Sequence, residues 1–298
     1  MFEHGNAIPT GPTRVVIIGA QGFVGSAAKA RLEKSDIEVL ALTRNEIDLL
    51  NAEAKHQLVS LLRPTDSLLI AAAVAPCKTV AMLMDNFRMM QTICNALEQQ
   101  PVSHIIYISS DAVYADSERP LTESANTAPN SLHGMMHITR EMMLRSVVTT
   151  TPVCLLRPSL LYGVTDPHNG YGPNRFRRLA AQGKPMVLFG QGEEQRDHVF
   201  IDDVAELIYL SLRHKSQGVL NIATGQVVSF YQIAQTINAF FDKPVEIIFS
   251  PRKGPMPHHG YRPFAIDVCR QAFPSFQYTT WMDGLALTHS QMLQKAGA

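Results

Sequence analysis

Residues 15–25 read Val-Val-Ile-Ile-Gly-Ala-Gln-Gly-Phe-Val-Gly and run on into Ser-Ala-Ala-Lys-Ala-Arg-Leu. No other stretch limits the possible folds so much. Four consecutive β-branched residues predict a buried strand; glycines follow at once, and then small and apolar residues at helical spacing. Gly19 lets the backbone turn where a Cβ would clash, Gly22 lets main-chain N–H groups approach a pyrophosphate, and Gly25 lets a helix lie close against the strand. The helix opens with unpaired N–H donors and the positive end of its dipole, so an anion is stabilised there. Three glycines alone would be weak evidence. With the strand before and the helix after, they point to dinucleotide binding rather than an ordinary glycine-rich turn.

The spacing is Gly-x-x-Gly-x-x-Gly, with Phe23 and Val24 inside its last interval. It resembles the short-chain dehydrogenase/reductase superfamily. The Gly-Phe-Val-Gly ending is similar to the extended branch of nucleotide-sugar epimerases, dehydratases and reductases, the NAD-dependent epimerase/dehydratase family. The resemblance implies an α/β fold, a Rossmann-like doubly wound parallel sheet with a smaller C-terminal substrate lobe. Residues 13–163, completed by about 202–242, would form the dinucleotide-binding domain, and residues 164–201 and 243–298 the lobe.

A chain of 298 residues has room for both without staples. Cys77, Cys94, Cys154 and Cys269 stand far apart with no Cys-x-x-Cys pair, which suits reduced thiols in a cytoplasmic protein. Acidic and basic side chains balance at 26 each, so nothing draws the surface to nucleic acid or anionic lipid. Residues 1–12 are polar with Gly and Pro and read as a loose tail without the apolar core of a signal peptide. The longest apolar run, residues 68–75, is far short of a membrane span.

A second strand, residues 37–42, ends in Thr43-Arg44. An NAD site of this type has an acid at that strand end, on the ribose hydroxyls. Thr43 occupies the place here, and Arg44 suits a 2′-phosphate, so NADP is favoured with NAD possible. Asp48 and Leu49 fit the family's adenine-side contact. Ala71, Ala72 and Ala73 end a further strand with side chains small enough for the backbone to pass beside a cofactor. By resemblance, Ser109 and Pro158 also border the cofactor. Asn86, in a helical stretch of about residues 78–99, falls where the family places an Asn near the site. Relatives pair that helix with the one at about 131–148 in a dimer interface, which implies a homodimer.

Residues 102–110 form the next strand, followed by Asp111-Ala112-Val113-Tyr114. The segment resembles the family's Ser-Ser/Thr-x-x-Val-Tyr-Gly, with Ser110 in the place of the hydroxyl that holds the reacting sugar oxygen. Asp111 matches the Asp of the 4,6-dehydratases, but Ala112 replaces their Glu and removes the proton carrier that elimination needs; the reductases are the closer match. Residues 153–157 read as the last core strand. Leu160 stands where the family carries an Asn. Asn174, then Leu188-Phe189-Gly190-Gln191-Gly192 and Arg196-Asp197, resemble the family's substrate-lobe motifs, in which Arg196 faces the diphosphate of a nucleotide sugar. Asp202 and Ser229 are expected to cap the helices that follow them. Arg252 and Arg262 lie in the stretch that closes over the nucleotide in relatives.

The family's proton-transfer dyad is Tyr-x-x-x-Lys within Pro-x-Ser-x-Tyr-Gly-x-x-Lys-x-x-x-Glu. Here Pro129, Ser131, Gly134 and Glu141 fall in register, but tyrosine has become His133 and lysine His137. An imidazole titrates near ~6.5 against ~10 for a phenol, so His133 is a competent base at neutral pH without a lysine to tune it. It is also shorter, so His133 would act through a water and His137 would need another to reach the ribose, unless the substrate sits deeper. Three readings stay open. His133 replaces tyrosine as acid/base, with Ser110 orienting the substrate; or the pocket binds dinucleotide without turnover; or His133 and His137, with Glu141 a turn further on, bind a metal.

Overall fold

Alternate residues of the strand Arg14–Ile18 enter two different apolar clusters. Val15 and Ile17 pack with Ala28, Leu32, Val204 and Ile208; Val16 and Ile18 pack with Leu58, Ile93, Leu97 and Leu144. A strand covered on both faces must be apolar throughout, which is why the run lacks polar alternation.

The computed structural model describes residues 1–296. In chain order they form β1 (Glu3–His4), β2 (Arg14–Ile18), α1 (Phe23–Leu32), β3 (Glu38–Leu42), α2 (Ala54–Leu61), β4 (Ser67–Ile70), α3 (Val80–Gln99), β5 (His104–Ile108), α4 (Leu132–Val147) and β6 (Val153–Pro158). Then come β7 (Leu160–Tyr162), α5 (Pro173–Ala181), β8 (Met186–Phe189), β9 (Gln195–Phe200), α6 (Ile201–Arg213) and β10 (Ser216–Ile222). The remainder is β11 (Val227–Ser229), α7 (Phe230–Asn238), β12 (Ile247–Ser250), β13 (Tyr261–Arg262), α8 (Asp267–Ala272) and α9 (Trp281–Ala296).

The main sheet runs β1-β10-β6-β5-β4-β2-β3, parallel except for β1. Because β3 lies on one side of β2 and β4 on the other, the winding reverses at β2. That reversal opens a cleft above the carboxyl ends of β2 and β4. The smaller lobe is built from β7, β9, β11 and β13, the parallel pair β8/β12, and the helices packed on them.

Four expectations need correction. Residues 1–12 are not a loose tail: β1 pairs antiparallel with β10, and Thr10 N donates to Arg213 O at 2.9 Å. The His4 ring lies 2.8 Å from Ser216 Oγ and 2.9 Å from Ala272 O and stacks on His214, which gives a polar segment side-chain anchors that its composition concealed. The last core strand is β10, not β6, since β10 continues the parallel ladder beyond it. The return to the main sheet ends at Ile222 rather than near 242, because α7 packs on α5 in the lobe. Asp202 does not cap α6, which starts at Ile201 without a side-chain cap; Ser229 does cap α7, with Gln232 completing a capping box.

His104 on β5 is 1% exposed, and its Nε2 lies 2.7 Å from Ser216 O while Nδ1 is enclosed without a partner among the described residues. Burial pushes its pKa down to about 4. The unfolded ring takes up a proton near ~6.5, so stability present above that pH is lost as the pH falls toward 4, by about 3 kcal/mol for this one ring. Urea midpoints should fall over that window, and His104→Asn should flatten part of the slope.

Candidate active site

The cleft holds two adjoining cavities, of about 390 and 680 Å³, which share Gly22, Ala71, Ala73 and Ala75 as a common wall. Gly19, Thr43, Arg44, Asp48, Leu49 and Ala72 line the smaller one. The α1 N-terminus opens on both through Gly22. It has no side-chain cap and no acid in its first turn, so its leading N–H donors are available to an anion. Arg44 is largely exposed and pairs with Asp48 at 3.2 Å, a surface ion pair that a phosphate can exchange into at little cost. Gly25 lines neither cavity. A Cβ there would lie 2.1 Å from Gly19 O, so its role is to let α1 close on the turn.

Phe23, Val24, Ser109, Ser110, Asp111, His133, His137, Pro158, Asn174 and Arg196 all line the larger cavity. Several are already committed to the protein. Ser109 Oγ donates to Glu141 Oε1 at 2.5 Å, and Arg157 donates to both oxygens of the same carboxylate at 2.9 and 2.6 Å. Asn174 accepts from Gly163 N at 3.1 Å and donates to Asp166 at 2.7 Å. Ser110 accepts from Ala112 N at 3.1 Å and lies 3.4 Å from Asp111 Oδ1, so its hydroxyl proton is only loosely held.

Two expected substrate contacts are corrected. Asn86 is fully buried and clamps the loop behind the alanine wall, accepting from Val74 N and donating to Val74 O, both at 3.0 Å. Arg262 is 1% exposed and spends its donors on Asp111 Oδ2 (2.9 Å), Asp111 O (2.6 Å) and Asp116 (3.3 Å), which leaves it outside both cavities. Arg252 also lies outside the lining. It and Arg196 each reach Glu194 at 3.4 Å, and among the described residues Arg252 Nε and Nη2 are enclosed without partners. Arg196 also lies 3.8 Å from Asp111 Oδ2, so the two guanidinium groups sit between two carboxylates.

Ser131 caps α4 by accepting from Gly134 N, which sets His133 in the first turn and His137 one turn on. Their rings meet edge to face at 4.8 Å. His133 Nδ1 accepts from Cys77 N at 3.4 Å, so the neutral ring carries its proton on Nε2. Burial lowers the pKa of both rings, that of His137 well below the usual range, with the neighbouring His133 and Arg140 charges adding to it. His133 therefore offers the cavity a neutral N–H donor; the free base expected from its type faces Cys77. The metal reading fails on Glu141, whose carboxylate is taken by Arg157 and Ser109, and among the described residues no group of three or more His, Cys, Asp or Glu could hold a metal.

Four participants carry no local signal in the amino-acid order. Glu194 bridges the two arginines, and His258, in a left-handed conformation at φ 51°, lines the larger cavity. Tyr107 touches His137 from the strand behind it, and Arg140 is buried beside both. Each reads locally as a core or surface residue, and only the packing of distant segments brings them to the site.

Residues 15–223 match the sequence profile described as NAD dependent epimerase/dehydratase family. The GDP-L-fucose synthase of Escherichia coli (strain K12) is 26% identical over 280 residues, covering 80% of this chain and 85% of that protein. Among solved structures, a GDP-L-fucose synthetase from Naegleria fowleri bound to NADP superposes with a TM-score of 0.84 at 20% identity, covering 98% and 97% of the two chains. The UDP-glucuronic acid 4-epimerase from Bacillus cereus, in complex with UDP-glucuronic acid and NAD, gives 0.82 at 20% identity, covering 95% and 99%. At such identities the solved structures establish the shared fold. Among the described residues no helix is long and apolar enough to cross a membrane.

Proposed function

The chain belongs to the NAD dependent epimerase/dehydratase family, and on that premise we propose that it is an NADP-dependent reductase or epimerase acting on a nucleotide sugar or a related polyol, with His133 in the tyrosine's place. The observation that carries this reading is the cavity itself: His133, His137 and Ser110 border the same space as the uncapped opening of α1. The residues fit a dinucleotide. Gly22 and the α1 donors would hold the pyrophosphate, the alanine wall would let the cofactor lie flat, and Arg44 would meet a 2′-phosphate. Arg196, which lines the larger cavity, suits the diphosphate of the sugar nucleotide, with Glu194 and Arg252 behind it.

His133 presents Nε2–H, a group that meets a carbonyl oxygen better than a hydroxyl needing a base. Reduction is thereby favoured. A bound reduced nicotinamide would supply hydride to the carbonyl carbon. His133 Nε2–H and Ser110 Oγ–H would hold the oxygen as its charge develops, and the proton that completes the alcohol would come from solvent, because transfer from a neutral imidazole would leave an imidazolate. Val80, Met84, Met135 and Met142 are exposed apolar side chains on α3 and α4 and support a homodimer through those helices. Four free, buried cysteines suit a cytoplasmic location.

Purified protein with NADPH or NADH and candidate keto-sugar nucleotides tests the reading through the absorbance of the reduced cofactor and the product mass. The expected result is turnover that prefers NADPH and falls by about 10²-fold or more in His133→Ala. Tight cofactor binding with no turnover, unchanged in His133→Ala, would support binding without catalysis, which the replacement of Asn by Leu160 and the engaged amide of Asn174 favour.

A further inference from the structure

We propose that Tyr107 is a positioning residue that, with Arg140 over its ring, fixes His137 as an Nε2–H donor facing the cleft, so that three residues together do the work of one lysine. The proposal rests on the cofactor reading only for what the donor holds, a ribose hydroxyl; the tautomer is a property of the protein alone.

The Tyr107 hydroxyl lies 2.9 Å from His137 Nδ1. Two arrangements satisfy that distance. If the ring donated from Nδ1, the phenolic O–H would need an acceptor of its own, and among the described residues the hydroxyl has no partner besides His137. Tyr107 is 1% exposed, so that proton would be buried and unbonded, at a cost comparable to a lost hydrogen bond. The phenol therefore donates, Nδ1 accepts, and the neutral ring carries its proton on Nε2. Among the described residues Nε2 has no protein partner, nor is it among the enclosed unpartnered polar atoms, and the ring lines the larger cavity, so its N–H is free to meet a ligand there.

Arg140 keeps this arrangement in one state. It is fully buried and has no carboxylate partner among the described residues; Nη2 donates to Ala72 O at 2.8 Å and Nη1 to Asn86 Oδ1 at 3.4 Å, while its guanidinium carbon stands 5.3 Å from the centre of the Tyr107 ring. A buried positive charge there makes the phenol a stronger donor and opposes protonation of the imidazole. The charged and titratable groups around His137 are Tyr107 from β5, His133 and Arg140 from α4, and Glu141, whose charge is met by Arg157. Burial pushes Tyr107 up to about 12, so the phenol keeps its proton throughout the physiological range. A lysine would put its charge and its donors on one atom. Here the charge stays behind the cofactor loop, and a neutral N–H reaches the cavity.

Protein labelled with ¹⁵N in its histidines, observed by long-range ¹H–¹⁵N correlation, reads the tautomer directly. His137 is expected as the neutral Nε2–H form at neutral pH and still so below the ordinary imidazole midpoint. Tyr107→Phe, which removes the hydroxyl and keeps the ring, should turn it into a tautomer mixture and weaken NADPH binding roughly tenfold. In a His137→Ala background the same substitution should cost nothing further, because the hydroxyl would act only through that ring. An Nδ1–H tautomer in the unmodified protein overturns the proposal, as does a cost of Tyr107→Phe that persists in the His137→Ala background. If the chain binds no dinucleotide, the cofactor reading falls and the tautomer decides the proposal by itself.

Discussion

Glu141→Ala is expected to lower the unfolding free energy by about 3–5 kcal/mol, the cost of stranding one member of a buried ion pair. Glu141 and Arg157 are 2% and 4% exposed, and the carboxylate receives two bonds from Arg157 and one from Ser109. Those three residues sit on α4, β6 and the end of β5, so one carboxylate ties together the elements that carry the candidate site. Alanine leaves a buried guanidinium with no anion to meet it. Calorimetry should show a drop in Tm of roughly 5–8 °C. Glu141→Gln, which keeps an acceptor for Arg157, should cost less. A loss below about 1 kcal/mol for alanine would mean that water reaches Arg157 and that the pair is not the joint described here.

Gly134→Ala is expected to be as damaging through a single added carbon. A Cβ at that position would lie 2.0 Å from Ala112 O and 2.6 Å from Pro129 Cβ. The first is rigid backbone, part of the turn that presents Ser110 and Asp111 to the cavity, so the start of α4 must move away from it. Overpacking of this kind costs about 1–3 kcal/mol, and more where backbone is the obstacle. His133 precedes Gly134 directly, so the variant should also lose NADPH affinity and activity to an extent that its loss of stability does not explain. Equilibrium urea unfolding alongside cofactor titration separates the two effects. A variant with unchanged stability would show that α4 and the turn are not in the contact that the backbone positions require.

The division between local and distant information follows from where each group finds its partner. The strand-turn-helix of residues 15–25 was legible because every constraint in it is local: Gly19 turns at φ 90°, Gly25 meets Gly19 O, and the apolar strand needs cover on both faces whatever supplies it. The Ser131 cap and the one-turn spacing of His133 and His137 were legible for the same reason, as both are properties of a helix. Arg262 was misread because a guanidinium looks alike in sequence whether it awaits a phosphate or is closed out by Asp111 and Asp116, which lie some hundred and fifty residues away. Asn86 was misplaced likewise, its amide spent on a loop that folds back onto α3.

The amino-acid order by itself therefore determined the family and the doubly wound sheet, and it sets His133 and His137 one helical turn apart. The tertiary structure alone decided which nitrogen of each imidazole is taken: Cys77 N–H at His133, Tyr107 O–H at His137, with Arg140 buried behind. A ring's chemistry depends on where its proton sits, and the proton's place is set by neighbours that only folding brings within hydrogen-bonding reach.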